Sequence, residues 1–278
     1  MKEHPNIKFL RKGVLPHGFC PGCGCGQILN YFLYAVDELK LDVDNMALVT
    51  GVGCSARIPV YIDAYVIHGV HGRTFPISTG IKLANPNVNV VVFTGDGDCA
   101  AIGANHFIQA ARRNLDVTVI LVNNGIYGMT GGQVAPTTPS AVRTSTTPYG
   151  NIERIFDLCK LAETAGATYV CRWTTAHSRS LINAIKKGLE HKGFALIEIV
   201  SQCPTYFGRY ALGFTEPERH LNWLRENSVT KEKASKMSPE ELRGKIVVGE
   251  FVEKREPTLI EKYLEVERKI SGGKVGAC

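Results

Sequence analysis

Three nearly unbroken apolar runs, Val88–Phe93 (VNVVVF), Val117–Val122 (VTVILV) and Phe194–Val200 (FALIEIV), constrain the fold of this chain more than any other feature. Runs of this kind belong to strands buried on both faces, as in parallel sheets covered by helices on each side. Helical periodicity lies between and around them, over Ile28–Leu41, Ile77–Ala84, Ala100–Arg113, Ile152–Ala165 and Ser178–His191. Shorter strands are expected at Ala47–Thr50 and Thr168–Cys171. Strands separated by helices of this length imply right-handed βαβ units, hence an α/β fold with a doubly wound, mostly parallel sheet. From about Gly213 charged residues dominate. The pattern predicts a main domain over 1–212 and a C-terminal extension over 213–278, packed on that domain or on another subunit. Within the extension, Lys231–Arg243 reads as an exposed helix or loop, Lys245–Phe251 (KIVVGEF) as an edge strand and Gly272–Cys278 as a mobile tail.

Composition excludes several classes. Basic residues are scattered and not interleaved with aromatics, so nothing resembles a nucleic-acid patch. No apolar run approaches the roughly 20 residues that span a bilayer, and Met1–Leu15 is polar with no signal-peptide core, so the expected location is cytoplasmic. The net charge of +6 suits phosphate-bearing cofactors or an acidic partner, and equally plain colloidal solubility. In a reducing compartment the nine cysteines are not a disulfide framework, and closely spaced ones point to a metal or cluster.

Four unusual segments each follow directly on an expected strand: Gly51–Arg57 (GVGCSAR), Gly95–Cys99 (GDGDC), Asn123–Thr130 (NNGIYGMT) and Ser201–Tyr206 (SQCPTY). All C-terminal ends of parallel strands lie on one sheet edge, where open α/β folds bind ligands, so these loops converge on one crevice. Gly95 and Gly97 let the backbone approach a phosphate. A carboxylate at Asp96 beside a diphosphate would repel it unless a divalent cation lies between, which points to Mg²⁺. A tight turn with Asp98 as helix cap explains the same residues without a ligand. An amide oxygen from Asn124 and the Ile126 carbonyl would complete a hard-oxygen site.

Cys20-Pro21-Gly22-Cys23 is a CxxC turn that alone fits zinc, a cluster or a redox pair. Zinc would want a second close pair, and none exists. Cys54 and Cys203 stand singly on two of the four loops, so Cys20, Cys23, Cys54 and Cys203 form a set suited to a [4Fe–4S] cluster, with Cys25 as the nearest alternative ligand. Cys99, Cys159, Cys171 and Cys278 read as buried apolar or surface thiols.

GDG, a helix, a strand and then NN resembles the signature of thiamine-diphosphate enzymes. The ordered set CPGCG, GVGCSAR, HGR at His71–Arg73, GDGD, NNGIYGMTGGQ and SQCPTY is similar to the β subunits of 2-oxoacid:ferredoxin oxidoreductases from about Gly18 to beyond Gly208. The resemblance implies a thiamine-diphosphate-binding (diphosphate domain) fold and an enzyme with thiamine diphosphate, Mg²⁺ and a [4Fe–4S] cluster. That enzyme oxidatively and reversibly decarboxylates a 2-oxo acid with coenzyme A to an acyl-CoA and CO₂ and reduces ferredoxin. Carried over by position, Cys20, Cys23, Cys54 and Cys203 are the cluster ligands, and Asp96, Asn124 and the Ile126 carbonyl hold Mg²⁺. Val52, Gly53, Cys54, Ser55, Gly97, Asp98, Gly128 and Met129 contact the cofactor, and His71 lies near the reacting carbon or supports its loop. A chain of this length has no room for the pyrimidine-binding domain that activates thiamine. The resemblance therefore implies an α subunit that supplies it, an (αβ)₂ assembly, and no activity in the single chain.

For the substrate, Arg57 follows closely on Cys54, and a guanidinium matches a distal carboxylate in bidentate geometry, although a surface or interface arginine is the plain alternative. Gly131-Gly132 would leave room for a longer substrate. SQCPTYFGR and the tail element VVGEFVEKREPT resemble the 2-oxoglutarate-specific β subunits more than the pyruvate ones. These favour 2-oxoglutarate and succinyl-CoA over pyruvate or a branched-chain 2-oxo acid. A non-redox thiamine lyase or synthase, which has no use for four placed cysteines, and a zinc-stabilised scaffold subunit are the rival classes.

Overall fold

The computed structural model describes residues 4–271. In chain order its regular elements are α1 (Gly24–Glu38), β1 (Met46–Thr50), β2 (Tyr65–His68), α2 (Thr74–Ala84), β3 (Asn89–Gly95), α3 (Ala104–Arg112), β4 (Val117–Asn123), the small hairpin β5 (Ile126–Tyr127) and β6 (Gln133–Val134), α4 (Leu158–Ala165), β7 (Tyr169–Thr174), α5 (Ser178–Glu190) and β8 (Phe194–Val200). The C-terminal part adds α6 (Pro217–Glu226), β9 (Ser228–Thr230), the short α7 (Lys231–Ala234) and α8 (Pro239–Leu242), β10 (Ile246–Glu253) and α9 (Leu259–Ile270).

Eight strands form one sheet in the order β2-β1-β3-β4-β8-β7-β10-β9. The first six are parallel; β10 runs antiparallel to β7, and β9 pairs parallel with β10. Side-chain alternation splits the sheet into two cores. Leu48, Val91, Phe93, Ile120, Val122, Ile197 and Ile199 pack under α1 and α5, with Phe32 edge-on to Phe93 at 5.1 Å between ring centres. Val49, Val90, Val92, Val119, Leu121 and Leu196 pack under α2, α3 and α4, where Phe75, Phe107 and Phe194 form a cluster. Both faces are covered, which is why these strands carry no polar alternation.

Several elements depart from expectation. β2 has no apolar signature because it is the sheet edge and mostly exposed. Segment 152–157 is not helical: Asn151 holds the Glu153 amide (3.0 Å) and the Thr138 carbonyl (2.8 Å), and the Phe156 amide bonds to the Pro136 carbonyl (2.9 Å). α4 starts only where the Asp157 side chain caps the Lys160 amide, and it ends at Gly166 in the left-handed region, φ 104°. Residues Asp98–Ile102 form a wide π-type turn before α3. The expected edge strand over 245–251 is an interior strand, since β9 takes the edge beyond it. The C-terminal extension thus continues the sheet. Gly272–Cys278, with the expected tail and Cys278, lies outside the described residues.

Candidate active site

β1, β3, β4 and β8 are consecutive neighbours in the sheet, so the four loops that follow them line up along one edge. β2, next to β1, adds a fifth loop, 69–73, which carries His71. A cavity of about 130 Å³ lies among them. It is lined by Val52, Gly53, Cys54, Ser55, His71, Gly95, Asp96, Gly97, Asp98, Asn124, Ile126, Tyr127, Gly128, Met129 and Thr130, together with Val122 at its base. The expected cofactor-contact and magnesium residues are all present in this cleft.

Asp96 is 4% exposed, and its Oδ2 accepts hydrogen bonds from the Gly125 amide (3.1 Å) and the Thr137 hydroxyl. Burial pushes its carboxyl up to about 6, against the pull of these donors. A carboxylate so placed is relieved by a cation. Asn124 Oδ1 accepts from the Ile126 amide at 3.2 Å, closing the turn that brings the Ile126 backbone to the cleft. Gly97 is required by a close approach: a Cβ there would stand 2.3 Å from the Tyr127 ring, whose hydroxyl donates to the Gly97 carbonyl at 3.2 Å.

Asp98 lines the cleft, but its carboxylate is engaged within the protein. Oδ1 is in hydrogen-bond contact with His71 Nδ1 and accepts from the Gly72 amide (2.7 Å) and the Val52 amide (3.4 Å), and Oδ2 accepts from the Thr94 hydroxyl (2.7 Å). Three site residues escaped the sequence reading: Thr94, Thr137 and Tyr127. Single hydroxyls in a loop or at a strand end carry no spacing signal, and the partners of Thr137 and Tyr127 are distant in sequence.

A second cavity, about 500 Å³, is lined by Cys20, Cys23, Cys54 and Cys203 together with Arg57 and Tyr61. Cys54, Asn124, Gly128 and Met129 line both cavities. A Cβ on Gly128 would sit 3.6 Å from both Cys54 Sγ and Cys203 Sγ, so glycine keeps this shared wall thin. Burial first, then the neighbouring cysteines, pushes the Cys54 thiol up to about 12, while a hydrogen bond from the Cys25 thiol lowers Cys23 to about 7. Cys25 is 1% exposed, packs in the core under α1 and does not line the cavity. Cys99, Cys159 and Cys171 are buried, with Cys159 donating to Glu198 Oε2 at 3.0 Å.

Among the described residues, the group of three with ligand atoms close enough to share one ion is Asp157, Cys159 and Glu198. Arg172 already bridges its two carboxylates, at 2.6 and 2.8 Å. The four cavity cysteines are not gathered that tightly; they surround a larger space. Arg57 is exposed, opens on the cysteine cavity and not on the diphosphate cleft, and makes no ion pair among the described residues. Of the space expected at Gly131-Gly132, that at Gly132 is occupied, since a Cβ there would lie 2.8 Å from the rings of both Tyr206 and Tyr210, while at Gly131 the nearest atom is Gln133 Nε2 at 3.8 Å.

Residues 51–199 match the thiamine pyrophosphate enzyme C-terminal TPP-binding domain, which is the class that this fold and cleft define. Over 267 residues the chain is 53% identical to the 2-oxoglutarate synthase subunit KorB of Methanocaldococcus jannaschii, covering 96% of this chain and 98% of that one. It is 52% identical to the KorB subunit of Methanothermobacter thermautotrophicus, covering 98% and 94%. A solved 2-oxoglutarate:ferredoxin oxidoreductase from Magnetococcus marinus, with 2-oxoglutarate, coenzyme A and succinyl-CoA bound, has 34% identity and a TM-score of 0.86, covering 100% of this chain and 94% of that one. The chain belongs to the family of KorB-type 2-oxoglutarate synthase subunits among the thiamine pyrophosphate enzymes. No helix among the described residues is long and apolar enough to cross a membrane.

Proposed function

We propose that this chain is the diphosphate-binding, cluster-carrying subunit of a 2-oxoglutarate:ferredoxin oxidoreductase, which converts 2-oxoglutarate and coenzyme A to succinyl-CoA and CO₂ in the cytoplasm. One observation carries the reading: the diphosphate cleft and the four-cysteine cavity share a wall made of Cys54, Asn124, Gly128 and Met129. A chemistry that strips electrons from a bound acyl group needs its electron acceptor this close.

Both donor sets fit their groups. Asp96, Asn124 and the Ile126 carbonyl are hard oxygens suited to Mg²⁺, and the buried Asp96 carboxylate favours ionisation once a cation is beside it. Cys20, Cys23, Cys54 and Cys203 surround a space too wide for one zinc ion, as a cubane requires, and the raised thiols of Cys54 and Cys203 ionise against iron. Thiamine diphosphate, when bound, supplies the electron sink for decarboxylation, and the cluster accepts electrons singly. Around them, Gly97 admits the diphosphate to the backbone, Val52, Gly53, Ser55, Asp98 and Met129 shape the cleft, and His71 presents Nε2 to it. Arg57, which makes no ion pair among the described residues, is the charge we assign to the distal carboxylate of 2-oxoglutarate.

The pyrimidine side of thiamine falls to an α subunit in an (αβ)₂ assembly, with ferredoxin as the electron acceptor, and the 213–278 segment serves as an extension of the main domain. The test is co-expression with that partner, anaerobic purification, and a panel of 2-oxo acids with coenzyme A and a viologen dye. Turnover of 2-oxoglutarate well above pyruvate and branched-chain 2-oxo acids is expected. A colourless, zinc-containing complex, or full-rate decarboxylation by the single chain, would overturn the reading.

A further inference from the structure

Asp98 ties the end of its own strand to two loops far from it in sequence. The Val52 amide comes from the loop after β1, His71 Nδ1 and the Gly72 amide from the loop after β2, and Thr94 from the end of β3. The carboxylate is 3% exposed, and Gly51 leaves the room it occupies: a Cβ there would lie 2.2 Å from Asp98 Oδ2. Two of the groups on Oδ1 are backbone amides, which can only donate. Oδ1 is therefore an acceptor, and His71 meets it with a proton on Nδ1. That leaves His71 Nε2, which has no hydrogen-bond partner among the described residues, on a ring that lines the cleft.

We propose that Asp98 is a positioning residue for the reaction: it fixes His71 in the Nδ1-protonated tautomer and aims Nε2 into the cleft as a proton acceptor. The inference rests on the assignment of this cleft to thiamine diphosphate and a 2-oxo acid. A proton released there passes to Nε2, and the resulting imidazolium is stabilised by the Asp98 carboxylate on its other side. The His71 side chain is 32% exposed, so the proton has a way out to water.

The tautomer is read directly from long-range ¹H–¹⁵N spectra of the ¹⁵N-histidine-labelled full chain, with H71Q identifying the resonance. The expected result is a proton on Nδ1 and a bare Nε2, with that preference lost in D98N. In the complex with its partner chain, D98N should lower kcat for 2-oxoglutarate on the order of a hundredfold, the scale of a wrong tautomer, with KM within about twofold. The same substitution in an H71Q background should cost less than about threefold, because its effect runs through His71. A native spectrum with the proton on Nε2, or an equal cost of D98N in both backgrounds, overturns the inference. If D98N does not fold, the native spectrum decides. The tautomer is read without cofactor or substrate, so a wrong substrate assignment leaves it standing. Conversely, a wrong tautomer beside intact 2-oxoglutarate turnover sinks this inference alone.

Discussion

Cys23 caps α1 and opens on the cysteine cavity, whereas Cys25 lies inside the first helical turn at 1% exposure. The Cys25 thiol touches that of Cys23 but stays buried behind it and off the cavity lining, so the two are not interchangeable. Replacing Cys25 with Ala should leave the broad visible absorption of the anaerobically purified protein intact, while Cys203→Ala should abolish or bleach it; an optical spectrum and iron analysis check both. At Arg57, truncation to Ala should raise the KM for 2-oxoglutarate about ten- to a hundredfold, the scale of a lost charge-assisted pair, and that for 2-oxobutyrate by less than about twofold. Equal effects on the two substrates would reassign Arg57 to the surface of the cysteine cavity. The cysteines and Asp96 were legible because spacing and strand-end placement mark them. Thr137 was not, since its contact with Asp96 is made across a loop by an ordinary hydroxyl.

α6 seals the turn that carries Cys203 by laying its His220 and Trp223 against Phe207, ring centres 5.8 and 6.4 Å apart. His220 is 1% exposed, its Nδ1 has no partner among the described residues, and burial lowers its pKa to about 4. Above the ordinary value of 6.5 the ring is neutral folded and unfolded, and it has no effect on stability. Between 6.5 and about 4 only the unfolded chain takes up the proton, so stability falls with pH by about 3 kcal/mol across that window. Urea midpoints at pH 7 and pH 4.5 should therefore differ less in H220F than in the native chain; an unchanged pH slope would refute this. At this scale the buried strands were readable from their apolar runs. β2 was not, because an edge strand of four exposed or half-exposed residues buries too little to leave a pattern. Nor was the start of α4, where the Asn151 and Asp157 side chains compete for the backbone.

For the whole molecule, the strand order β2-β1-β3-β4-β8 sets five strand-end loops side by side, and the proposed need for an α subunit is tested at this scale. Among the residues lining the cleft no glutamate is present to meet an aminopyrimidine. The purified single chain should therefore turn over 2-oxo acids at under about 1% of the rate of the reconstituted complex, since losing the activating acid–base group alone removes about 10²–10⁴-fold; a viologen assay on each preparation measures it. Sequence alone determined the layered α/β architecture, the strand-end loops and the cysteine and Asp96–Asn124 sets. Each of these is written in local periodicity or in residue types that few other chemistries need. Tertiary structure decided that β2 brings His71 beside Asp98, that Cys25 turns inward, that Arg57 faces the cysteines, and that the C-terminal part extends the sheet. Those outcomes depend on which strands become neighbours and which way a helix turn faces, and the long-range contacts that select them have no local signature.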